Sequence, residues 1–269
     1  MTTQLAVIGF GTMGQAISGG LVEAAGYPPQ KIVAADKSKS AKTRAQAMGI
    51  GWAASAQEAV RSAEAVLLCV KPKDLGHLLE TLQASGALDH KPLVVSIAAG
   101  VDLAFLEAHL PEGTPVIRAM PNTPCSIRMG TIVLATGTHA SEEHLAVART
   151  FFEPLGTVMD LEEHHFDAVT GLSASGPAFI FVILEALAEG GVQCGLPRGV
   201  AVELAARMTV GAASMVLQTG RHPAALKDDV TTPAGCTIAG LLALEDGRIR
   251  SVIARGIERA SQVASGLSR

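Results

Sequence analysis

The sequence predicts an α/β protein in two parts: a doubly wound, mainly parallel sheet over residues 1–161 and an all-α domain over residues 162–269. Three observations predict it. Short unbroken apolar runs alternate with amphipathic stretches in the first part, the pattern of strands covered on both faces by helices. A glycine-rich turn follows the first run and opens the first amphipathic stretch. Beyond residue 162 the strand-type runs stop, and long stretches of roughly 3.6-residue period take over.

Residues 4–9 form the first strand-like run, and residues 13–25 carry Met13, Ile17, Leu21 and Val22 at helical spacing. Residues 31–35 are a second run, followed by a polar helix near residues 40–48. Runs at 65–70, 92–98 and 116–119 continue the series, with helix-like segments between them. Runs at 131–135 and 157–161 read as further strands at the sheet's edge. In the second part Ser175-Gly176-Pro177 marks a helix start, because an early proline gives up an N–H that has no intrahelical partner anyway. That helix runs to Gly195. Pro197 opens the next, which Gly220 closes. Residues 234–244 and 249–265 make two more. Small residues such as Ala201, Ala205, Gly211 and Ala212 let these helices approach closely. The Ile, Leu and Val content is generous for a free-standing bundle, so burial against a second copy is expected, as a homodimer through the C-terminal helices.

Apolar residues make up 48% of the chain and charged residues 17%, enough for a large core and incompatible with wholesale disorder. A net charge of -4 offers no electrostatic reason for a nucleic-acid partner. The most apolar runs, 65–70 and 178–184, fall short of the roughly 20 residues that a spanning helix needs, so no membrane is expected. The N-terminal residues lack the basic start of a signal peptide. Cys69, Cys125, Cys194 and Cys236 lie far apart, with no CxxC pair and no HExxH. Reduced thiols, a cytoplasmic protein and no metal are the expectation. His164-His165, after Glu162-Glu163, reads as a solvated turn rather than a metal site.

Gly9-Phe10-Gly11-Thr12-Met13-Gly14 is a GxGxxG element in the context its chemistry needs, after a strand and opening a helix. Gly9 permits the tight turn, Gly11 lets a pyrophosphate approach the backbone, and Gly14 allows close helix–strand packing. The helix N-terminus then offers N–H groups and partial positive charge to the phosphates. Asp36, about 20 residues further on, stands where an acid takes the adenosine ribose hydroxyls. This is the Rossmann-type dinucleotide plan. Asp36 argues for NADH, whereas Lys37, Ser38 and Lys39 argue for NADPH. The balance leans slightly to NADPH, with NADH also accepted.

Four further segments narrow the reading: Leu68-Cys69-Val70-Lys71-Pro72, Arg118-Ala119-Met120-Pro121-Asn122-Thr123-Pro124, Gly171-Leu172-Ser173-Ala174-Ser175-Gly176-Pro177, and the run HPAALKDDVTTPAGCTIAGL at 222–241. Together they closely resemble pyrroline-5-carboxylate reductase, from residue 4 to residue 267. The resemblance implies a Rossmann domain and a helical domain that interlocks with a partner subunit, the dimers often assembling further into decamers. It implies NAD(P)H-dependent reduction of 1-pyrroline-5-carboxylate to L-proline, the last step of proline biosynthesis. The substrate is then a small cyclic imine carrying a carboxylate. Such chemistry needs a protonated C=N, an anchored carboxylate and a correctly spaced coenzyme, but neither nucleophile nor metal.

Val230, Thr231, Thr232, Gly235, Cys236 and Thr237 feed a helix N-terminus whose N–H groups suit a carboxylate. The resemblance implies that this segment grips the substrate and that Thr237 is the catalytic residue at the imine nitrogen. Helix capping is the competing role for the threonines. Val70, Lys71 and Pro72 follow a strand end, where ligands sit in doubly wound sheets. A plain surface lysine explains Lys71 as well. Ala98 and Ala99 let backbone approach the coenzyme, and packing explains them almost equally. Asn122 and Thr123, between Pro121 and Pro124 at the next strand's end, border the nicotinamide, and the resemblance places the turn carrying Ser173 and Ser175 near it as well. Three positions depart from the family: Ala174 replaces a glycine, Ala56 an asparagine that contacts ribose, and Cys236 a smaller residue. Two alternatives stay open. One is another two-domain NAD(P)-dependent imine or hydroxy-acid reductase, whose usual catalytic lysine segment is replaced here by Ser173, Ala174 and Ser175. The other is a nucleotide-sensing module, which leaves the threonine loop without a purpose.

Overall fold

A computed structural model describes residues 4–267. The first part alternates strands and helices: β1 Leu5–Ile8, α1 Thr12–Ala24, β2 Ile32–Ala35, α2 Lys39–Ala47, β3 Gly51–Trp52, α3 Ala56–Val60, β4 Ala65–Leu68, α4 Pro72–Ala84, β5 Leu93–Ser96, α5 Leu103–Ala108, β6 Val116–Met120, β7 Gly130–Thr136, α6 Glu142–Phe152 and β8 Gly156–Asp160. The eight strands form one sheet in the order β3-β2-β1-β4-β5-β6-β7-β8. The order in which strands are added reverses between β1 and β4, which pair in parallel from Leu5 opposite Ala65 to Ile8 opposite Leu68.

Strand periodicity explains why the apolar runs are unbroken. Side chains alternate between faces, and both faces here are covered. Leu5 and Val7 pack with Ile17 and Leu21 of α1, while Ala6 and Ile8 pack with Leu75 and Leu79 of α4. Each fully buried Leu or Ile contributes roughly 1.5–3 kcal/mol relative to exposure, so a charge placed at Val7 or Leu67 would disrupt the sheet.

The sheet departs from the sequence expectation in three places. β7 runs antiparallel to β6, because the link between them is only a short 3₁₀ turn, Thr123–Ile127, closed by Arg128 in the left-handed region at φ 61°. A parallel return would need a crossover of a dozen or more residues. The short strand β3, paired with Val33 and Ala34, has no run long enough to announce it. β4 stops at Leu68, two residues before its apolar run ends.

The second part contains α7 Phe166–Val169, a π-helical turn Thr170–Ala174, α8 Gly176–Gln193, α9 Arg198–Thr219, α10 Pro223–Asp229, α11 Cys236–Asp246 and α12 Ile249–Leu267. Gly220 ends α9 at φ 63°, as a left-handed cap should. A Cβ on Gly191 would lie 3.1 Å from Cβ of Ala201, so small residues do bring α8 and α9 together. α10, absent from the sequence reading, starts where His222 Nδ1 accepts the Ala224 N–H at 3.2 Å.

Internal contacts divide the chain at Ser175/Gly176 rather than at 161/162: one unit runs to Ser175 and takes back the chain from Arg259, and the other is Gly176–Glu258. The difference has a physical cause. Residues just past β8 are helical in sequence yet anchored to the sheet, since Glu163 pairs with Arg118 at 2.8 Å and Phe166 is fully buried. The expectation that no segment reaches spanning length also needs correction. Glu163–Gln193 and Arg198–Thr219 are long and apolar enough to cross a membrane by length and composition alone. Glycines, hydroxyl residues and isolated charges interrupt both, so counting consecutive apolar residues misses them. Their large side chains are exposed in the single chain, Phe181 by 62% and Leu217 by 84%.

Candidate active site

The carboxyl ends of β1, β2 and β4 open into a groove of about 590 Å³, at the switch point where doubly wound sheets bind ligands. Gly9, Gly11, Asp36, Lys37, Val70 and Lys71 line it, as the sequence predicts. Gly9 turns the chain at φ 93°, and a Cβ there would meet the Cys69 carbonyl carbon and oxygen at 2.7 Å. Gly14 lies against the Gly9 carbonyl, so no side chain fits there either. A Cβ on Gly11 would meet nothing within 4 Å, so the floor of the groove is open where a pyrophosphate would pass. Gly11 also caps α1 without a side-chain hydrogen bond. First-turn N–H groups are therefore left to a ligand. The residues present fit a dinucleotide.

Asp36 does more than line the groove. Its Oδ2 accepts the Phe10 N–H and its Oδ1 accepts the Ser38 N–H, both at 2.7 Å. Gln15 Nε2 donates to the Phe10 carbonyl at 2.7 Å. The carboxylate thus ties the glycine loop to the β2 end.

The remaining predicted coenzyme residues fall elsewhere. Phe10 is fully buried and serves through its backbone; Met13 packs partly against the same core. Thr12 faces a different cavity, of about 300 Å³, on another side of α1. Ser38 caps α2, its hydroxyl 2.9 Å from that of Ser40. Pro72 is the first residue of α4. Ala98 is buried, and Ala99 packs against the core. Asn122 spends its side chain on protein: Oδ1 accepts the Thr131 N–H at 3.0 Å, and Nδ2 donates to the Ser173 carbonyl at 3.3 Å.

In the second unit, residues 230–237 connect α10 to α11. Thr231 Oγ1 donates to the Lys227 carbonyl at 2.7 Å, so this hydroxyl closes α10 and capping explains it. Thr232 and Thr237 have no side-chain hydrogen-bond partner among the described residues. Thr237 is half-buried in the first turn of α11, whose cap, Gly235, makes no side-chain hydrogen bond. Val230 and Cys236 are exposed. Ala234 is held in the left-handed region at φ 56°. Arg221 Nη1 donates to Asp229 Oδ2 at 2.6 Å, closing the loop behind the turn, and this bond pulls the Asp229 carboxyl below its usual range.

Residues 163–267 match the family model described as pyrroline-5-carboxylate reductase dimerisation, and residues 4–100 match one described as NADP oxidoreductase coenzyme F420-dependent. A pyrroline-5-carboxylate reductase of Schizosaccharomyces pombe is 41% identical over 98% of this chain and 98% of its own. One of Methanosarcina acetivorans is 40% identical over 99% of this chain and 98% of its own. The chain belongs to the pyrroline-5-carboxylate reductase family. A solved pyrroline-5-carboxylate reductase from Coxiella burnetii has the same fold, with a TM-score of 0.91 at 31% identity over 100% of both chains.

Several groove residues of this reductase escaped the sequence reading. Ser55 and Gln57, on either side of the Ala56 already noted, form one wall, and Lys73, Asp74 and His77 of α4 another. A signal for the first wall existed. Ser55-Ala56-Gln57-Glu58 has the S-x-x-E pattern of a capping box, with Ser55 Oγ accepting the Glu58 N–H at 3.1 Å, although Glu58 Oε2 takes the N–H of Ala54, one residue before the cap, at 2.8 Å. The second wall follows from α4 starting directly at the β4 end, which puts its exposed first-turn face over the crevice. Cys69 also lines the groove, and burial pushes its thiol well above the ordinary range.

Proposed function

We propose that this reductase converts 1-pyrroline-5-carboxylate to L-proline, the last step of proline biosynthesis, with reduced nicotinamide dinucleotide as the second substrate. One observation carries the reading: a single chain holds both a dinucleotide-fitting groove within its matched region 4–100 and the threonine turn within the matched dimerisation region 163–267.

The bound coenzyme supplies hydride from its nicotinamide C4 to the imine carbon. The chain's own groups do the rest. Loop N–H groups of the glycine turn and the first turn of α1 take the pyrophosphate. Ala98, Ala99 and the Ser173–Ser175 turn, held by Asn122, border the nicotinamide end. The N-terminal turn of α11 takes the imine carboxylate, with Val230, Thr232, Gly235 and Cys236 forming its rim. Thr237 hydrogen-bonds the ring nitrogen and holds the proton that makes the imine electrophilic.

NADPH is the preferred coenzyme and NADH is accepted. Lys37, Lys71 and Lys73 line the groove together with His77, against Asp36 and Asp74. Both Asp36 oxygens already accept backbone N–H groups, which lessens their repulsion of a 2′-phosphate. The exposed apolar faces of α8 and α9 bury against a second copy rather than lipid, since the dimerisation match covers both helices. Dimers assemble further, a decamer being the size the resemblance implies. The four free thiols suit the cytoplasm.

The test is a reductase assay with the cyclic imine and each coenzyme, followed by loss of reduced-nicotinamide absorbance. Turnover with both, better with NADPH, is expected. No oxidation of either coenzyme overturns the function, and a hundredfold preference for NADH overturns the coenzyme choice.

A further inference from the structure

We infer that Arg118 within β6 and Asn122, two residues beyond the strand, are positioning residues that clamp residues 163–175 onto the sheet and so set the place of the Ser173–Ser175 turn. The inference rests on the reading above, in which that turn borders the nicotinamide end of the groove.

Arg118 has the same parity as Val116 and Met120 in β6, so it belongs to the sheet face that packs against Phe166. Arg118 is 3% exposed, its guanidinium stacked over the Phe166 ring at 4.7 Å. Its Nη1 donates to Glu163 Oε1 at 2.8 Å, and the same oxygen accepts the Leu103 N–H at 2.7 Å. Seven residues beyond Glu163 the π-helical turn begins to close: Thr170 Oγ1 donates to the Phe166 carbonyl at 2.7 Å, and the Ser175 N–H to the Thr170 carbonyl at 2.9 Å. Asn122 Nδ2 then reaches the Ser173 carbonyl at 3.3 Å and its hydroxyl at 3.4 Å.

Two costly features converge on this one segment. Arg118 Nε and Nη2 are buried with no hydrogen-bond partner among the described residues. A buried cation so incompletely satisfied is not the arrangement that stability alone would favour. The turn it supports is π-helical, a rare form that collects at functional sites. Asn122 therefore acts through Ser173, not by contact with coenzyme.

Asn122→Asp separates the roles, since it keeps an oxygen for the Thr131 N–H and loses the donor to Ser173. Amide hydrogen exchange over residues 170–176 should quicken at least tenfold, with kcat falling at least tenfold and the coenzyme Kd within threefold of wild type. Arg118→Lys, which keeps the charge but loses the planar stack, should loosen residues 166–170 in the same way. Should Asn122→Asp fail to fold, Arg118→Lys and Ser173→Ala carry the test. Unchanged exchange in the folded variants overturns the clamp. Faster exchange with unchanged kcat leaves the clamp standing and overturns the placement of the turn at the reacting ring.

Discussion

Replacing Asp36 by alanine distinguishes two roles that the same carboxylate could serve. As a ribose acceptor and guard against a 2′-phosphate, its loss should tighten NADPH binding and weaken NADH. As a loop anchor, its loss should weaken both. The geometry favours the anchor, because Phe10 N–H and Ser38 N–H each lie 2.7 Å from a carboxylate oxygen. Phe10 is fully buried, so its N–H has no solvent to turn to, whereas Ser38 is exposed and water can replace its acceptor. One hydrogen bond to a charged acceptor, with the donor left buried, is worth about 2 kcal/mol. For a chain of this length that is a fall in Tm of roughly 4–8 °C. Loosening of the glycine loop should raise Kd for NADPH and NADH alike, by roughly tenfold, or about 1.4 kcal/mol. Asp36→Asn keeps one acceptor for Phe10 and should lose roughly half as much stability. Calorimetric melting and titration with each coenzyme read these effects. A Tm within about 1 °C of wild type, together with tighter NADPH binding, would refute the anchor.

Four further outcomes follow from the same geometry. Thr237→Ala should lower kcat roughly 100-fold, as expected for a group that holds a reacting proton, with coenzyme Kd unchanged; steady-state kinetics at saturating NADPH decides, and full activity removes Thr237 from the mechanism. Ala234 sits at φ 56°, so Ala234→Gly should relieve about 1 kcal/mol of strain and raise Tm by roughly 2–4 °C; a lower Tm counts against it. Lys37→Ala and Lys73→Ala should each weaken NADPH about fivefold, near 1 kcal/mol, and leave NADH within twofold; equal losses for both coenzymes would assign these lysines to the shared pyrophosphate instead. Phe181→Glu combined with Leu217→Glu puts two charges on exposed apolar helix faces and should convert dimers to monomers in sedimentation velocity. An unchanged oligomer would move the interface elsewhere.

What was legible in the sequence depended on whether a residue's role is settled by its neighbours in the chain. The strand runs were readable because Leu5–Ile8 and Ala65–Leu68 are buried on both faces, and burial of that kind requires unbroken apolar residues. Their ends were not, since Cys69 and Val70 are as apolar as the strand but serve as groove walls. α10 escaped because its AALKDD sequence has no apolar period, although the Thr231 hydroxyl bonding four residues back to Lys227 is a local pattern. Asp36 shows where local information runs out. Its spacing from the glycines marks the position, but Phe10, which claims one of its oxygens, comes near only because β1 and β2 lie side by side. Arg118 is the harder case: an arginine in an apolar run reads as a misfit until Glu163 and Phe166, more than 40 residues on, supply the other half of its environment. A polar atom's function is decided by which partners it already has. Thr231 and Asn122 spend their side chains on hydrogen bonds within the protein, whereas the Thr237 hydroxyl has no partner among the described residues and stays available for the role proposed for it.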